Sequence, residues 1–131
     1  MARYVIDAPT LLRIVADGVP VDPAHRLVAP AAIRSRALDL LLGAVRRGEL
    51  TEAAALEQHE RLTALRMRLL GDRVSRRTAW RIAGEHGWTI EEAEYLAVTS
   101  LQADALVTVD APFAARAQGL VPLAPLDALR G

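Results

Sequence analysis

Apolar residues recur along this chain with two different periods, which predicts a protein that alternates strands and helices. Short continuous apolar runs are typical of buried strands, whereas an apolar residue at every third or fourth position is typical of an amphipathic helix. The strand pattern occurs at residues 2–6, 105–109 and 120–123. Pro122 cannot donate a backbone hydrogen bond, so the last of these strands is predicted to lie at a sheet edge.

The helical pattern accounts for most of the remaining residues. It occurs at 8–17, 30–47, 51–70, 75–85, 89–102 and 112–117. Residues 19–28 are predicted to form a loop, and residues 30–86 a helical lobe between the strands. Strands that alternate with helices indicate an α/β protein with a parallel sheet. The length of 131 residues fits one domain, 1–131.

Two matching segments place an aspartate at the end of a predicted strand. The segments Tyr4–Pro9 and Val107–Pro112 each carry an apolar run, an aspartate and an Ala-Pro pair. Proline is tolerated in the first turn of a helix, so each aspartate is predicted to lie where a strand passes into a helix. Ligands bind at this edge of a parallel sheet, and adjacent strands would bring Asp7 and Asp110 together there. The pair is interpreted as a binding site, and helix N-capping is the alternative for each aspartate.

Composition excludes several chemistries. Sixteen acidic residues balance sixteen basic ones, and every basic residue is an arginine. Without lysine the chain has neither a phosphate-binding P-loop nor Schiff-base chemistry, and without cysteine it has no disulfide or zinc–thiolate site. A dinucleotide-binding domain is disfavoured, because no glycine-rich turn follows the first predicted strand. No signal peptide or membrane span of about 20 residues is predicted, so we expect a cytoplasmic protein with no membrane partner.

Four segments together resemble the PIN domain, and in particular the VapC-type toxins of bacterial toxin–antitoxin pairs. These segments are Val5–Ala8, Ala29–Pro30, Glu92–Ala97 and Leu106–Asp110. The likeness extends in order and spacing over essentially the whole chain. It implies a PIN-like three-layer α/β/α sandwich with a central, mainly parallel sheet and a helical lobe. It also implies a metal-dependent endoribonuclease, a hydrolase that cleaves RNA phosphodiesters with Mg²⁺ or Mn²⁺.

The resemblance assigns roles to particular residues. Asp7, Glu92 and Asp110 would bind the divalent cation and act as catalytic residues, and Thr108 would orient Asp110. Hard divalent cations take oxygen ligands, and a bound metal lowers the pKa of its water. Glu92 also fits a capping box with Thr89, in which the two residues satisfy each other's backbone N–H groups. Capping and metal binding both remain open for Glu92.

The chain departs from the family pattern at three positions. Glu92 stands where an aspartate is usual, Arg36 stands where a glutamate of the second helix is expected, and Pro9 replaces a small hydroxyl residue. A guanidinium among the predicted acids would take the place of the metal. The protein would then be a catalytically degenerate PIN domain that binds RNA or a protein and needs no metal. Alternatively, Asp39 supplies the missing carboxylate from the same helix face.

Arginine clusters suggest where RNA would bind. The densest cluster is Arg73, Arg76, Arg77 and Arg81. Contacts between arginine and phosphate supply most non-specific affinity for nucleic acids, and an ordinary solvated helix face is the alternative. Trp80 and Trp88 are predicted to pack in the interior rather than to stack on bases. The family resemblance further implies a homodimer and a VapB-like antitoxin as partner.

Overall fold

The computed structural model describes all 131 residues and contains one five-stranded parallel sheet. The strands are β1 (Arg3–Ile6), β2 (Arg26–Pro30), β3 (Arg68–Leu70), β4 (Ala105–Val107) and β5 (Leu123–Ala124). Their spatial order is β3-β2-β1-β4-β5, and every pair of neighbours is parallel. The predicted α/β class with a parallel sheet is confirmed. The last strand lies at the edge as predicted, but it spans Leu123–Ala124 rather than 120–123, so Pro122 precedes it.

Six helices cover the two faces of the sheet. They are α1 (Ala8–Asp17), α2 (Ile33–Arg46), α3 (Glu52–Ala64), α4 (Arg73–His86), α5 (Ile90–Gln102) and α6 (Ala111–Ala117), and a 3-10 helix spans Leu126–Arg130. Right-handed crossovers place α1 to α3 on one face and α4 to α6 on the other. The contacts within each group agree, since α1, α2 and α3 touch one another and α4 packs on α5. None of the helices combines the length and apolar character that a membrane crossing requires.

β1 and β4 lie side by side at the centre of the sheet. Val5 and Ile6 of β1 and Leu106 and Val107 of β4 are fully buried, because helices cover both faces. After β1 the chain adds β2 and β3 on one side of it, and it later adds β4 and β5 on the other side. The direction in which strands are added to the sheet therefore changes between β1 and β4. Open parallel sheets bind ligands at the carboxyl ends of two such strands.

Two strands lie where no strand is predicted. The predicted loop at 19–28 and the predicted helix start at Pro30 are wrong, because Arg26–Pro30 pairs with β1 as β2. The predicted helix at 51–70 ends early at Ala64, and Arg68–Leu70 pairs with β2 as β3. Both segments are too short to show a period, and pairing with a distant part of the chain decides their conformation.

Several helix ends agree with the local sequence signals. α1 ends at Asp17, and Gly18 follows with a φ of 61°, a left-handed conformation that glycine adopts readily. Thr89 caps α5, and the predicted capping box with Glu92 is present. α4 begins two residues earlier than predicted, because Asp72 is its N-cap and Ser75 is the third helical residue of that capping box.

The α4–α5 contact is built from alanines. Ala79 and Ala83 of α4 pack against Ala93 and Ala97 of α5, and these small side chains let the two helices approach closely. Trp80, on another face of α4, leaves 75% of its surface exposed. The predicted interior position of Trp80 is therefore wrong, whereas Trp88 packs against the main core as predicted.

Replacement of Ala97 by leucine should lower the free energy of unfolding by about 1–3 kcal/mol, because the added methyl groups have no space between α4 and α5. Urea unfolding followed by circular dichroism measures the change. The matched control is Ala53→Leu on the exposed side of α3, for which we expect a change within about 0.5 kcal/mol. Equal losses in both variants would show that α4 is not closely packed on α5.

Candidate active site at the carboxyl ends of β1 and β4

Asp7 is a buried carboxylate at the centre of the sheet edge. It is the first residue after β1 and the N-cap of α1, and only 4% of its surface is exposed. Its Oδ1 accepts hydrogen bonds from the Thr10 backbone N–H, at 3.2 Å, and from the Thr10 hydroxyl. Its Oδ2 accepts from the Thr108 hydroxyl at 2.6 Å. No arginine forms an ion pair with Asp7.

Asp110 lies at the corresponding position after β4. Its side chain accepts from the Phe113 backbone N–H at 3.2 Å and so caps α6. Its own backbone N–H donates to the Thr108 hydroxyl at 3.1 Å, and the neighbouring Val109 N–H donates to the Thr10 hydroxyl at 3.0 Å. Both aspartates are therefore helix caps, as the alternative interpretation predicted, and both stand at the edge where ligands bind.

The electrostatic environment of Asp7 is unfavourable for its charge. Burial is the largest effect and raises the pKa of Asp7 above its ordinary value. The hydrogen bonds from Thr10 and Thr108 act in the opposite direction, and the nearby charge of Asp110 adds to the increase. A bound cation would offset both the desolvation and the repulsion between the two carboxylates.

Glu92 lies in the first turn of α5, where its carboxylate contacts Thr89 and Arg116. Its Oε1 accepts from the Thr89 N–H at 3.3 Å, and the Glu92 N–H donates to the Thr89 hydroxyl at 3.2 Å. Its Oε2 forms an ion pair with Arg116 of α6. Partial burial opposes ionisation, but the bonds from Arg116 and Thr89 outweigh it and lower the pKa of Glu92. No group of three or more acidic or histidine side chains has an arrangement that could hold a metal ion.

Arg36 connects α2 with α5 at the same edge of the sheet. Its Nε lies 3.2 Å from Glu91 Oε1, and its Nη1 lies 3.2 Å from Asp39 Oδ2. Its side chain is 43% exposed, and it forms no ion pair with Asp7 or with the other two predicted ligands. Asp39, the alternative carboxylate, is bound to Arg36 instead. Whether Arg36 replaces a metal stays a prediction.

Two buried residues at the site were missed in the sequence. Thr10 supplies the hydroxyl that the family pattern led us to expect at Pro9, and its place three residues after Asp7 is a capping signal that would have found it. Tyr95 of α5 has its pKa raised by burial, and the charges of Asp7 and Glu91 raise it further. Its position in an apolar stretch of helix gave no chemical signal.

The predicted RNA-binding arginines and one large cavity take no part in the hydrogen-bond network of Asp7. The arginines predicted to bind RNA are all on α4, exposed and without ion pairs: Arg73, Arg76, Arg77 and Arg81. A cavity of about 770 Å³ opens at the amino-terminal edge of the sheet and is lined by Arg3, Arg26 and Arg68 among others. It contains none of the predicted catalytic residues, so the chemistry predicted for Asp7 does not belong to this cavity.

Known structures share this architecture. No family model and no curated protein sequence matches the chain. PAE2754 from Pyrobaculum aerophilum is similar to it with a TM-score of 0.73 and 22% identity, over 98% of this chain and 93% of that one. VapBC-1 from nontypeable Haemophilus influenzae is similar with a TM-score of 0.62 and 15% identity, over 95% and 98%. At these identities the likeness concerns the fold. The predicted PIN-like three-layer sandwich is confirmed.

Replacement of Asp7 by asparagine should stabilise the protein at pH 7.5 in EDTA. Because the pKa of Asp7 is raised in the folded state, the folded chain binds more protons than the unfolded chain between the two pKa values. Stability is therefore lost as pH rises through this window, and the asparagine variant avoids the loss. Thermal unfolding from pH 7.5 down to about pH 4 should show the advantage shrinking as Asp7 becomes protonated in both states.

The control for this comparison is Asp127→Asn, since Asp127 is highly exposed and paired only with Arg130. Its melting temperature relative to the native chain should stay nearly constant over the same pH range. A lower melting temperature for Asp7→Asn at pH 7.5 would contradict the interpretation of Asp7 as an uncompensated charge.

Proposed function

We propose that this protein is a PIN-type, metal-dependent endoribonuclease related in function to VapC toxins. The observation that carries the proposal is the placement of Asp7 and Asp110 together at the strand ends, with Asp7 buried and lacking a positive partner. Buried charges are normally paired with an opposite charge or bound to a metal. The PIN-like fold agrees with this activity.

The residues at this edge fit a hard divalent cation. Mg²⁺ is usually held by one or two carboxylates together with water and substrate phosphate, and the donors here are oxygen atoms only. Asp7 and Asp110 would hold Mg²⁺ or Mn²⁺, while Thr10 and Thr108 keep the Asp7 carboxylate in one orientation. A bound cation would lower the pKa of a water molecule and stabilise charge on the phosphate.

Glu92 is the third acid in this proposal. It would act directly or through a water molecule from the first turn of α5, next to Tyr95 and Glu91 along the same helix. Its bond with Arg116 favours the ionised carboxylate at neutral pH. Removal of the Arg116 charge would break that bond and leave the Glu92 carboxylate held only by Thr89.

RNA and an antitoxin are the proposed partners. The unpaired arginines of α4 offer positive charge for phosphate contacts, which are a large part of affinity for RNA. The similarity in fold to VapBC-1 supports a VapB-like antitoxin as a partner, and a homodimer is proposed on the same family resemblance. A toxin role would follow from an antitoxin partner together with RNA cleavage.

The second candidate is a PIN-like domain that binds without cleaving. The observation in its favour is Arg36, a positive charge paired with Glu91 close to Tyr95 at the same edge of the sheet. In that case Arg36 would reduce the negative potential that attracts a cation. The two candidates differ in whether the native chain binds a divalent metal.

Calorimetric titration with Mn²⁺ should show about one bound ion per native chain, and Asp7→Asn should abolish that binding because it removes a ligand charge. The native chain should also cleave a mixture of short single-stranded RNAs when Mg²⁺ or Mn²⁺ is present, and Asp7→Asn should reduce the rate at least about 100-fold. Asp127→Asn is the matched control, since it removes an exposed carboxylate whose only ion pair is with Arg130.

The variant Arg36→Glu separates the two candidates. If the native chain binds no Mn²⁺ and Arg36→Glu does, the pocket is intact and the binding-module function holds. If neither chain binds Mn²⁺ and the native chain cleaves no RNA in its presence, metal-dependent cleavage is excluded for this protein. The Mn²⁺ affinities of Glu92→Gln and Arg116→Ala then show whether Glu92 takes part in metal binding. The second change removes the ion pair of Glu92 with Arg116.

A further inference from the structure

An exposed tryptophan on α4 has no structural role in the core. Trp80 lies in the middle of the helix and leaves 75% of its surface in contact with solvent. Trp88, in contrast, packs on Phe113 with a ring separation of 6.2 Å. A large aromatic ring that gains so little from burial is a candidate for contact with a ligand.

The surroundings of Trp80 leave its ring accessible. Arg76 and Arg77 precede it by one helical turn, and Gly84 follows it by one turn. A Cβ atom built at Gly84 would meet nothing within 4 Å, so the helix surface one turn after Trp80 is open. No arginine lies over Trp80, whereas Arg116 covers Trp88 at 4.9 Å.

The arginines around Trp80 form no ion pair with any acidic side chain of the chain. Six arginines of the chain form ion pairs: Arg13, Arg36, Arg47, Arg61, Arg116 and Arg130. The four arginines of α4 are not among them, although the chain has no net charge. From Arg73 to Arg81 they extend over about 12 Å of helix, at about 1.5 Å per residue. This face of α4 is therefore a positively charged surface that includes the indole ring of Trp80.

This combination fits a single strand of nucleic acid better than a protein. Single-stranded nucleic acids are bound by positive surfaces that follow the phosphates and by aromatic rings on which bases stack. A protein interface would place apolar residues around the tryptophan. Here the exposed residues one turn from Trp80 are Arg76, Arg77 and Gly84, while Ala83 is buried against α5, so charge complementarity selects a polyanion.

The α4 surface leads toward the candidate active site. α4 ends at His86, whose ring lies 5.8 Å from that of Trp88. Trp88 contacts Phe113 in α6, and Asp110 caps α6. A strand bound along α4 would therefore run toward the edge of the sheet that carries the two aspartates.

We propose that Trp80 is a base-stacking platform for single-stranded RNA, with Arg73, Arg76, Arg77 and Arg81 binding the phosphates on either side. The proposal rests on the proposed ribonuclease function for the identity of the ligand as RNA. It goes further in assigning to α4 a binding surface separate from the aspartates, which holds the strand whether or not a metal is bound.

The test uses a fluorescein-labelled 12-nucleotide oligouridylate in EDTA, so that no cleavage occurs. Fluorescence polarisation with the native chain should give saturable binding. Trp80→Ala should weaken binding about 10-fold or more, and Trp80→Phe should stay within about 3-fold of the native chain because phenylalanine also stacks. The joint change Arg76→Ala and Arg77→Ala should make the dependence of affinity on salt shallower by roughly one to two phosphate contacts.

Matched controls and a direct optical signal complete the test. Leu56→Ala and Arg13→Ala remove an exposed apolar and an exposed basic side chain on other helices, and neither should change the affinity. Trp88→Phe leaves Trp80 as the sole tryptophan, and its fluorescence should be quenched when unlabelled oligouridylate binds, as stacking requires. The melting temperatures of all variants show that each one is folded.

Three results would overturn the inference: native affinity in Trp80→Ala, equal affinity for a 12-base-pair RNA duplex, or equal affinity for polyglutamate. The first excludes stacking, the second reduces the contact to phosphates alone, and the third points to an acidic protein partner. Trp80-dependent binding in a chain that neither binds Mn²⁺ nor cleaves RNA would support this inference while excluding the ribonuclease, so the two proposals fail separately.

Discussion

The buried carboxylate of Asp7 is the constraint on which the centre of this structure depends. The hydroxyls of Thr10 in α1 and Thr108 after β4 each donate to one of its two oxygens. The Thr10 hydroxyl also accepts from the Val109 backbone N–H, and the Thr108 hydroxyl accepts from that of Asp110. The network joins the ends of the two central strands. Its hydrogen bonds only partly compensate for burial of the charge, since the pKa of Asp7 remains raised. A fold that keeps such an unfavourable group at a ligand-binding edge is suited to a positively charged ligand.

The two helical layers differ in how they serve this centre. α1 begins at Asp7 and supplies Thr10, whereas α5 packs on β1, β2 and β4 and brings Tyr95 and Glu92 to the same edge. α4 packs on α5 through alanines and makes few other contacts. Because small residues suffice for that contact, the outer face of α4 is free to carry arginines and a tryptophan without disturbing the core.

The parts of the fold that were predictable from the sequence are those that local patterns determine. β1, α1 and α6 combine a clear apolar pattern with an aspartate cap and proline, and the capping box at Thr89 marks the start of α5. β2 and β3 were not predictable, because each is held by pairing with a distant strand.

Trp80 was placed wrongly because α4 buries alanines and exposes its largest apolar residue, the reverse of the usual order of burial. The ion pair between Glu92 and Arg116 joins residues 24 positions apart, which spacing alone does not reveal.

The short strands at the two ends of the sheet limit how a partner chain would attach. β3 has three residues and β5 has two, so each edge presents few free backbone groups. An extended peptide adds to a sheet by forming a row of backbone hydrogen bonds along an exposed strand, and neither edge is long enough to offer many. Recognition by this protein would therefore depend on the side chains of its helices, and its specificity could change through surface substitutions that leave the sheet intact.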